Sequence, residues 1–258
     1  MAKVIAKKRF GQNFLIDNYI INEIVKIINP KSDETLVEIG PGFGAITKPI
    51  LEYIADEPSF KQLHVIELDW DIIRFLKNNF GNKLIIHESD ALKFNFSFNN
   101  TPIRVIGNLP YNISTPILFH LANYNNIKDM HFMLQKEVVD RICAKPDSKD
   151  YGRLTVMIQY KFKCFKMLDV AKECFDPQPK VESAIIRLKP KPESEWEMID
   201  QKKLGNLVTH AFNQRRKTIQ NSLKGLVPCE TLEELNIDTK KRAENLTISE
   251  YIKLAAAI

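Results

Sequence analysis

Thr35-Leu36-Val37-Glu38-Ile39-Gly40-Pro41-Gly42-Phe43-Gly44 is the stretch that decides the fold. Its first five residues read as a strand, and Ala45 to Tyr53 beyond it has the apolar spacing of a helix. Glycines at such a strand-to-helix turn let the backbone approach a ligand closely. The pattern is not the G-x-G-x-x-G dinucleotide fingerprint, because the third glycine comes one residue early. Taken alone, the loop reads either as a tight turn or as a ligand cradle.

The same alternation continues outward. Tyr19 to Ile28 has helical spacing and stops at Asn29-Pro30. Strands are expected at Leu63–Ile66, Leu84–His87, Ile103–Gly107 and Met130–Leu134, with helices at Asp71–Phe80, Thr115–Ala122, Glu137–Ala144 and Arg153–Tyr160. Further strands are expected at Phe165–Val170 and Ala184–Leu188. Strands alternating with helices at this interval predict an α/β fold with a mostly parallel sheet and helices on both faces. Ligands in such sheets bind at the carboxyl ends of the strands. Gly40 and Gly42, Glu67, Asp90 and Asn108 fall at four successive strand ends. Glu67 stands where a carboxylate meets ribose hydroxyls in nucleoside-binding α/β folds, and Asp90 is placed to accept a hydrogen bond from an adenine amino group. Alone, Glu67 reads more often as a solvated loop acid, and Asp90 reads equally as a turn acid before Ala91. Together they describe a nucleoside crevice, and without a Lys-Ser/Thr phosphate loop a ligand lacking phosphates fits best.

Asn108-Leu109-Pro110-Tyr111-Asn112 carries the chemistry. Proline fixes its own φ, removes a donor and pushes the preceding residue out of the helical region. The backbone is therefore extended, and an amide, free carbonyls and an aromatic ring gather at one strand end. That set suits an amino group on a flat ring, although a strand-ending turn is an equal reading of these residues alone.

The chain has 258 residues, a formal net charge of +5, and 44% hydrophobic and 27% charged residues, as in a soluble globular protein. A mild basic excess fits a polyanionic partner without requiring one. Cys143, Cys164, Cys174 and Cys229 show no CxxC pair and no histidine at zinc spacing, so reduced thiols and no metal are expected. No apolar run suffices for a bilayer. Lys3, Lys7, Lys8 and Arg9 precede no apolar signal core, which makes a cytoplasmic location the expectation and a mitochondrial presequence the alternative. Lys189-Pro190-Lys191-Pro192-Glu193 reads as a rigid linker, beyond which only helical patterns occur. Val208, Phe212, Ile219 and Leu223 share one helical stripe there, with Arg215 and Arg216 at its flanks and Lys217 opposite.

These motifs resemble those of a known family. Val37 to Gly44 is similar to the S-adenosylmethionine motif of class I methyltransferases, Val65-Ile66-Glu67-Leu68-Asp69 to their acidic second motif, and Asn108-Leu109-Pro110-Tyr111 to the motif of enzymes that methylate exocyclic adenine amino groups. Lys8-Arg9-Phe10-Gly11-Gln12-Asn13-Phe14-Leu15, Phe175-x-Pro177-x-Pro179-x-Val181-x-Ser183 and Phe212 to Leu223 narrow the resemblance to the small-subunit (16S) ribosomal RNA adenine dimethyltransferase family, over nearly the whole chain.

The resemblance implies a Rossmann-like catalytic domain over residues 1–192, its last strand antiparallel, and a helical RNA-binding domain over 193–258. It implies S-adenosyl-L-methionine as methyl donor, with S-adenosyl-L-homocysteine as product, held by Asn13, Leu15, Gly40, Gly42, Glu67, Asp90 and Asn108. It places Asn108, Leu109, Pro110 and Tyr111 at the reacting base, with Phe175 either closing the base's other face or anchoring the core. Lys7, Lys8, Arg9, Arg215, Arg216 and Lys217 become contacts to RNA phosphates. The implied activity is dimethylation of two adjacent adenines near the 3' end of 16S rRNA, by a monomer acting on a small ribosomal subunit or its precursor, with a role in subunit biogenesis. The alternatives are a 23S rRNA methyltransferase of the macrolide-resistance type, a DNA methyltransferase, or a non-catalytic assembly factor. A nicotinamide dehydrogenase is remote, because Asn-Leu-Pro-Tyr has no rationale in hydride transfer.

Overall fold

The structure, a computed structural model, describes residues 13–31, 33–55, 63–98, 101–111, 113–196 and 199–258. Its strands are β1 (Phe14–Leu15), β2 (Thr35–Ile39), β3 (Leu63–Glu67), β4 (Leu84–Glu88), β5 (Ile103–Asn108), β6 (Ile127–Gln135), β7 (Phe162–Val170), β8 (Phe175–Asp176) and β9 (Ser183–Pro190). Its helices are α1 (Asn18–Ile28), α2 (Thr47–Tyr53), α3 (Trp70–Phe80), α4 (Ser114–Leu121), α5 (Lys136–Ile142), α6 (Arg153–Gln159), α7 (Gln201–Asn213), α8 (Ile219–Ser222), α9 (Cys229–Glu234) and α10 (Ile248–Ala256).

The chain packs as two units, residues 1–139 with 165–189, and residues 140–164 with 190–258. The second crossing falls close to the Lys189–Glu193 linker. Sequence patterning alone did not signal that residues 140–164 pack with the C-terminal helices.

In the first unit, seven strands run in the order β4-β3-β2-β5-β6-β9-β7. Strands β2 to β6 are parallel, and β9 lies antiparallel to β6. The strand order reverses between β2 and β5, so the crevice of such a sheet opens at their carboxyl ends. Every residue of β2 is buried, as a central strand covered on both faces requires. Helix α1 buries Ile21, Ile24, Val25 and Ile28, the i, i+3, i+4, i+7 set of one face. Asp17 caps its start by accepting the Ile20 N–H at 3.0 Å, and Asn29 ends it in the left-handed region at φ 46°.

The lower end of the sheet is tied by a buried guanidinium. Arg104 on β5 bonds Asp129 on β6 at 2.7 Å, Glu34 at 2.8 Å and the Ile28 carbonyl at the end of α1 at 2.7 Å. A buried charge this fully partnered fixes helix against sheet, and removing one partner would strand the others.

The second unit is helical. Tyr151 and Tyr251 are fully buried and donate to the carbonyls of Leu246 and Ala243 at 2.8 and 2.7 Å. The expected single stripe from Val208 to Leu223 is interrupted. Helix α7 ends at Asn213, and Thr218 adopts extended backbone and bridges to Arg242 before α8 starts. Val208, Ile219 and Leu223 are nevertheless all buried, because the turn returns the chain to the same core. Tertiary pairing overrides helical continuity here.

Gly107 sets the spacing at the head of the sheet. A Cβ on it would lie 2.4 Å from the Ile39 carbonyl oxygen of β2. Replacing Gly107 with alanine must shift a strand backbone, and should lower stability in urea unfolding by about 1–3 kcal/mol, as overpacking does.

Candidate active site

All the strand-end residues of the sequence reading lie in the first unit, around the carboxyl ends of β2, β3, β4 and β5. The β2–β5 register sets Glu38 opposite Ile106, which carries Gly40 to the level of Asn108. A Cβ on Gly40 would stand 3.9 Å from the Asn108 carbonyl. Gly40 has φ 65° and Gly42 φ 54°, backbone that L side chains rarely adopt. The Gly40 N–H donates to the Ile66 carbonyl at 2.9 Å, fastening the loop to β3.

Glu67 ends β3. Its Oε1 accepts the N–H groups of Leu68 and Asp69 at 2.8 and 2.9 Å, which fixes the carboxylate at the turn. Burial pushes its pKa up, Asp69 adds to that, and the backbone donors pull it down. Asp90 follows β4, and its Oδ1 accepts the Leu92 N–H at 2.9 Å, shaping the turn that holds it at the strand end.

Asn108 ends β5. Its Nδ2 donates to the Asn13 carbonyl at 3.2 Å. Only the nitrogen end of an amide can pair with a carbonyl, so this bond turns Oδ1 the other way. The Leu109 N–H donates to the Met133 carbonyl of β6 at 3.2 Å, and the Leu109 side chain is fully buried. The Pro110 carbonyl accepts the Ile113 N–H at 3.1 Å. Tyr111 is half-buried, with its hydroxyl 2.8 Å from Ser183 Oγ. Burial raises its pKa, so the phenol is neutral at physiological pH. Asn112 lies outside the described residues.

The N-terminal arm lies over this head. Strand β1 pairs antiparallel with β8, Phe14 opposite Asp176 and Leu15 opposite Phe175. The Phe14 ring meets Phe43 at 4.9 Å, and a Cβ on Gly42 would come within 3.3 Å of it. Leu15 buries its side chain in the core, leaving its backbone as the part that can meet a ligand. Of the two readings of Phe175, its position favours the core anchor. The ring is 4% exposed and packs in the same hydrophobic cluster as Leu15.

In the second unit Arg215, Arg216 and Lys217 are exposed on the turn after α7. Arg215 is engaged with Glu244 at 2.6 Å and with the Lys149 carbonyl at 3.2 Å. Lys7, Lys8 and Arg9 lie outside the described residues.

Sequence reasoning missed the buried acid beneath the glycine loop. Glu38 is 2% exposed and accepts a hydrogen bond from Thr47 Oγ1 at 2.6 Å. Burial pushes its pKa up to about 7, and the Glu67 charge adds to the rise. The signal was present as an acid inside the strand Thr35–Ile39. Ser183 was quoted only as the end of a loop motif, and nothing in the sequence tied it to Tyr111.

The crevice fits an S-adenosylmethionine-type ligand. A glycine backbone without a phosphate-binding lysine, a fixed carboxylate at the next strand end and an oriented amide suit a nucleoside carrying no phosphate.

A family model described as ribosomal RNA adenine dimethylase matches residues 4–258. The chain is 52% identical over 258 residues to the ribosomal RNA small subunit methyltransferase A of Chromobacterium violaceum, covering 99% of this chain and 96% of that protein. It is 49% identical over 259 residues to the protein of the same name from Laribacter hongkongensis, covering 99% and 97%. Among solved structures, a dimethyladenosine transferase from Plasmodium falciparum superposes with a TM-score of 0.80 at 28% identity, covering 93% of this chain and 95% of that one. The 23S rRNA methyltransferase ErmE shares the fold, with a TM-score of 0.71 at 23% identity over 94% and 98%.

Glu38 gives the site a pH signature. The stability supplied by its protonated form is complete below the ordinary carboxyl value of 4.5 and is lost as pH rises through about 7. That loss is on the order of 3 kcal/mol. Glu38→Gln should therefore lose less stability than the parent between pH 5 and pH 8 in parallel urea titrations.

Proposed function

The chain belongs to the ribosomal RNA adenine dimethylase family, and from that premise we propose that it dimethylates the N6 amino groups of two adjacent adenines near the 3' end of small-subunit rRNA. S-adenosyl-L-methionine is the methyl donor in this reading. The observation that carries it is the juxtaposition of the Gly40 loop with Asn108 at the ends of neighbouring strands.

Asn13, Leu15, Gly40, Gly42, Glu67, Asp90 and Asn108 would hold the cofactor. When bound, the cofactor supplies a methyl group made electrophilic by its positively charged sulfur. The adenine amino nitrogen is a poor nucleophile because its lone pair is delocalised into the ring. Asn108 Oδ1 and a backbone carbonyl can accept its two N–H groups, favouring a more tetrahedral nitrogen and stabilising the positive charge that develops there. The Pro110 carbonyl already accepts from Ile113, which favours Leu109 as the second acceptor. Held this way, the lone pair is aimed along one direction. The methylated nitrogen is acidic enough to lose its proton to water, so no strong general base is required. Tyr111 stacks on the base, which must leave its own stack to enter.

The helical second unit supplies the RNA contacts in this reading. Arg216 and Lys217 offer exposed charge, whereas Arg215 is held by Glu244. The substrate is the small subunit or its precursor, the protein acts as a cytoplasmic monomer, and it contributes to subunit biogenesis. Among the described residues no helix is long and apolar enough to cross a membrane.

Radiolabelled methyl transfer tests the reading. Undermethylated small subunits should acquire label in dimethyladenosine, while large subunits and DNA should not; label in the large subunit or DNA instead would overturn the assignment. Affinity for the small subunit should also fall steeply with salt, and Arg216→Ala and Lys217→Ala should each reduce the slope of log affinity against log salt by about 1.

A further inference from the structure

We propose that Ser183 is a positioning residue for the methylation reaction, acting through Tyr111. This rests on the proposed function and deepens it. Ser183 opens β9 and faces Gln135 of β6, while Met133 two residues earlier on β6 faces Asn108. The end of β6 therefore lies between the start of β9 and the Asn108–Tyr111 turn. Across it, Ser183 Oγ and the Tyr111 hydroxyl meet at 2.8 Å. Ser183 is fully buried, and a buried hydroxyl must find its partner in place. Among the described residues, Tyr111 is the side chain that supplies it.

The bond acts at the far tip of the ring. A tyrosine pivots about two side-chain torsions, so an anchor at the hydroxyl removes most of the ring's remaining swing. The other end of the residue is held as well, because Ser114 Oγ donates to the Tyr111 carbonyl at 3.2 Å. Ahead of Ser183, the Lys136 N–H donates to the Glu182 carbonyl at 2.9 Å, which fixes the approach to the strand. A base stacked on a tyrosine held at its hydroxyl and at its backbone is presented at one angle to Asn108. Transfer in line with the methyl depends on that angle, whereas cofactor binding does not. The Phe175-to-Ser183 segment thus reaches the site through its last residue, while Phe175 at its start serves the core.

The test uses the full chain with undermethylated small subunits, comparing Ser183→Ala, Tyr111→Phe, the double variant and Ser183→Thr. Removing the bond should lower kcat about five- to tenfold, the scale of one hydrogen bond, with KM for S-adenosylmethionine and its calorimetric Kd unchanged. The two single variants should fall equally, the double should be no worse than either, and Ser183→Thr should restore the rate. A Ser183→Ala variant with the parent's kcat, or losses that multiply in the double variant, would overturn the inference while leaving the proposed function intact. Loss of cofactor affinity and of thermal stability that threonine does not rescue would show a merely structural role and overturn it too. A parent chain that transfers no methyl to small subunits would remove the proposed function, and this inference with it.

Discussion

The head of the sheet depends on one close approach. Strands β2 and β5 come so near at their carboxyl ends that residue 107 has no room for a side chain. Glycine at that position lets β5 run alongside Ile39 and delivers Asn108 to the level of Gly40. The glycine loop and the Asn108–Tyr111 turn thus flank one crevice, each reached directly from its strand. Since the two strands also mark the reversal of strand order, the crevice occupies the place where open α/β sheets bind ligands.

Polar groups at the two ends of the sheet are buried on different terms. At the lower end Arg104 is matched by Asp129, Glu34 and helix-end carbonyls, a closed network that fastens α1 to the sheet. At the upper end, burial raises the pKa of both Glu38 and Glu67, and their charges oppose one another. The lower network is satisfied internally and serves stability. The upper acids carry an electrostatic cost in the folded chain. The arm over the crevice, held by β1–β8 pairing and by Phe14 against Phe43, encloses that upper region further.

The strand-end residues were legible in the sequence because glycine, proline and lone acids interrupt otherwise apolar strands, and interruptions at strand ends are where α/β sheets place function. The family motifs then gave each interruption a role. What was not legible depends on pairing across long separations. Nothing local in Phe175 shows that it pairs with Leu15 and sinks into the core, nor does anything in Ser183 point to Tyr111. Arg215 reads as a free cation until Glu244 is brought to it. The α7 stripe had the right burial but the wrong continuity, because periodicity does not register a turn that returns to the same face.

In the proposed reaction Asn108, oriented by its bond to the Asn13 carbonyl, accepts from the adenine amino group as the methyl arrives. Single-turnover methyl transfer by Asn108→Ala, with its S-adenosylmethionine Kd measured in parallel, tests this most directly. Cofactor binding should be partly retained while transfer falls about 100-fold or more, as when an oriented transition-state acceptor or donor is removed. Near-normal transfer by that variant would contradict it.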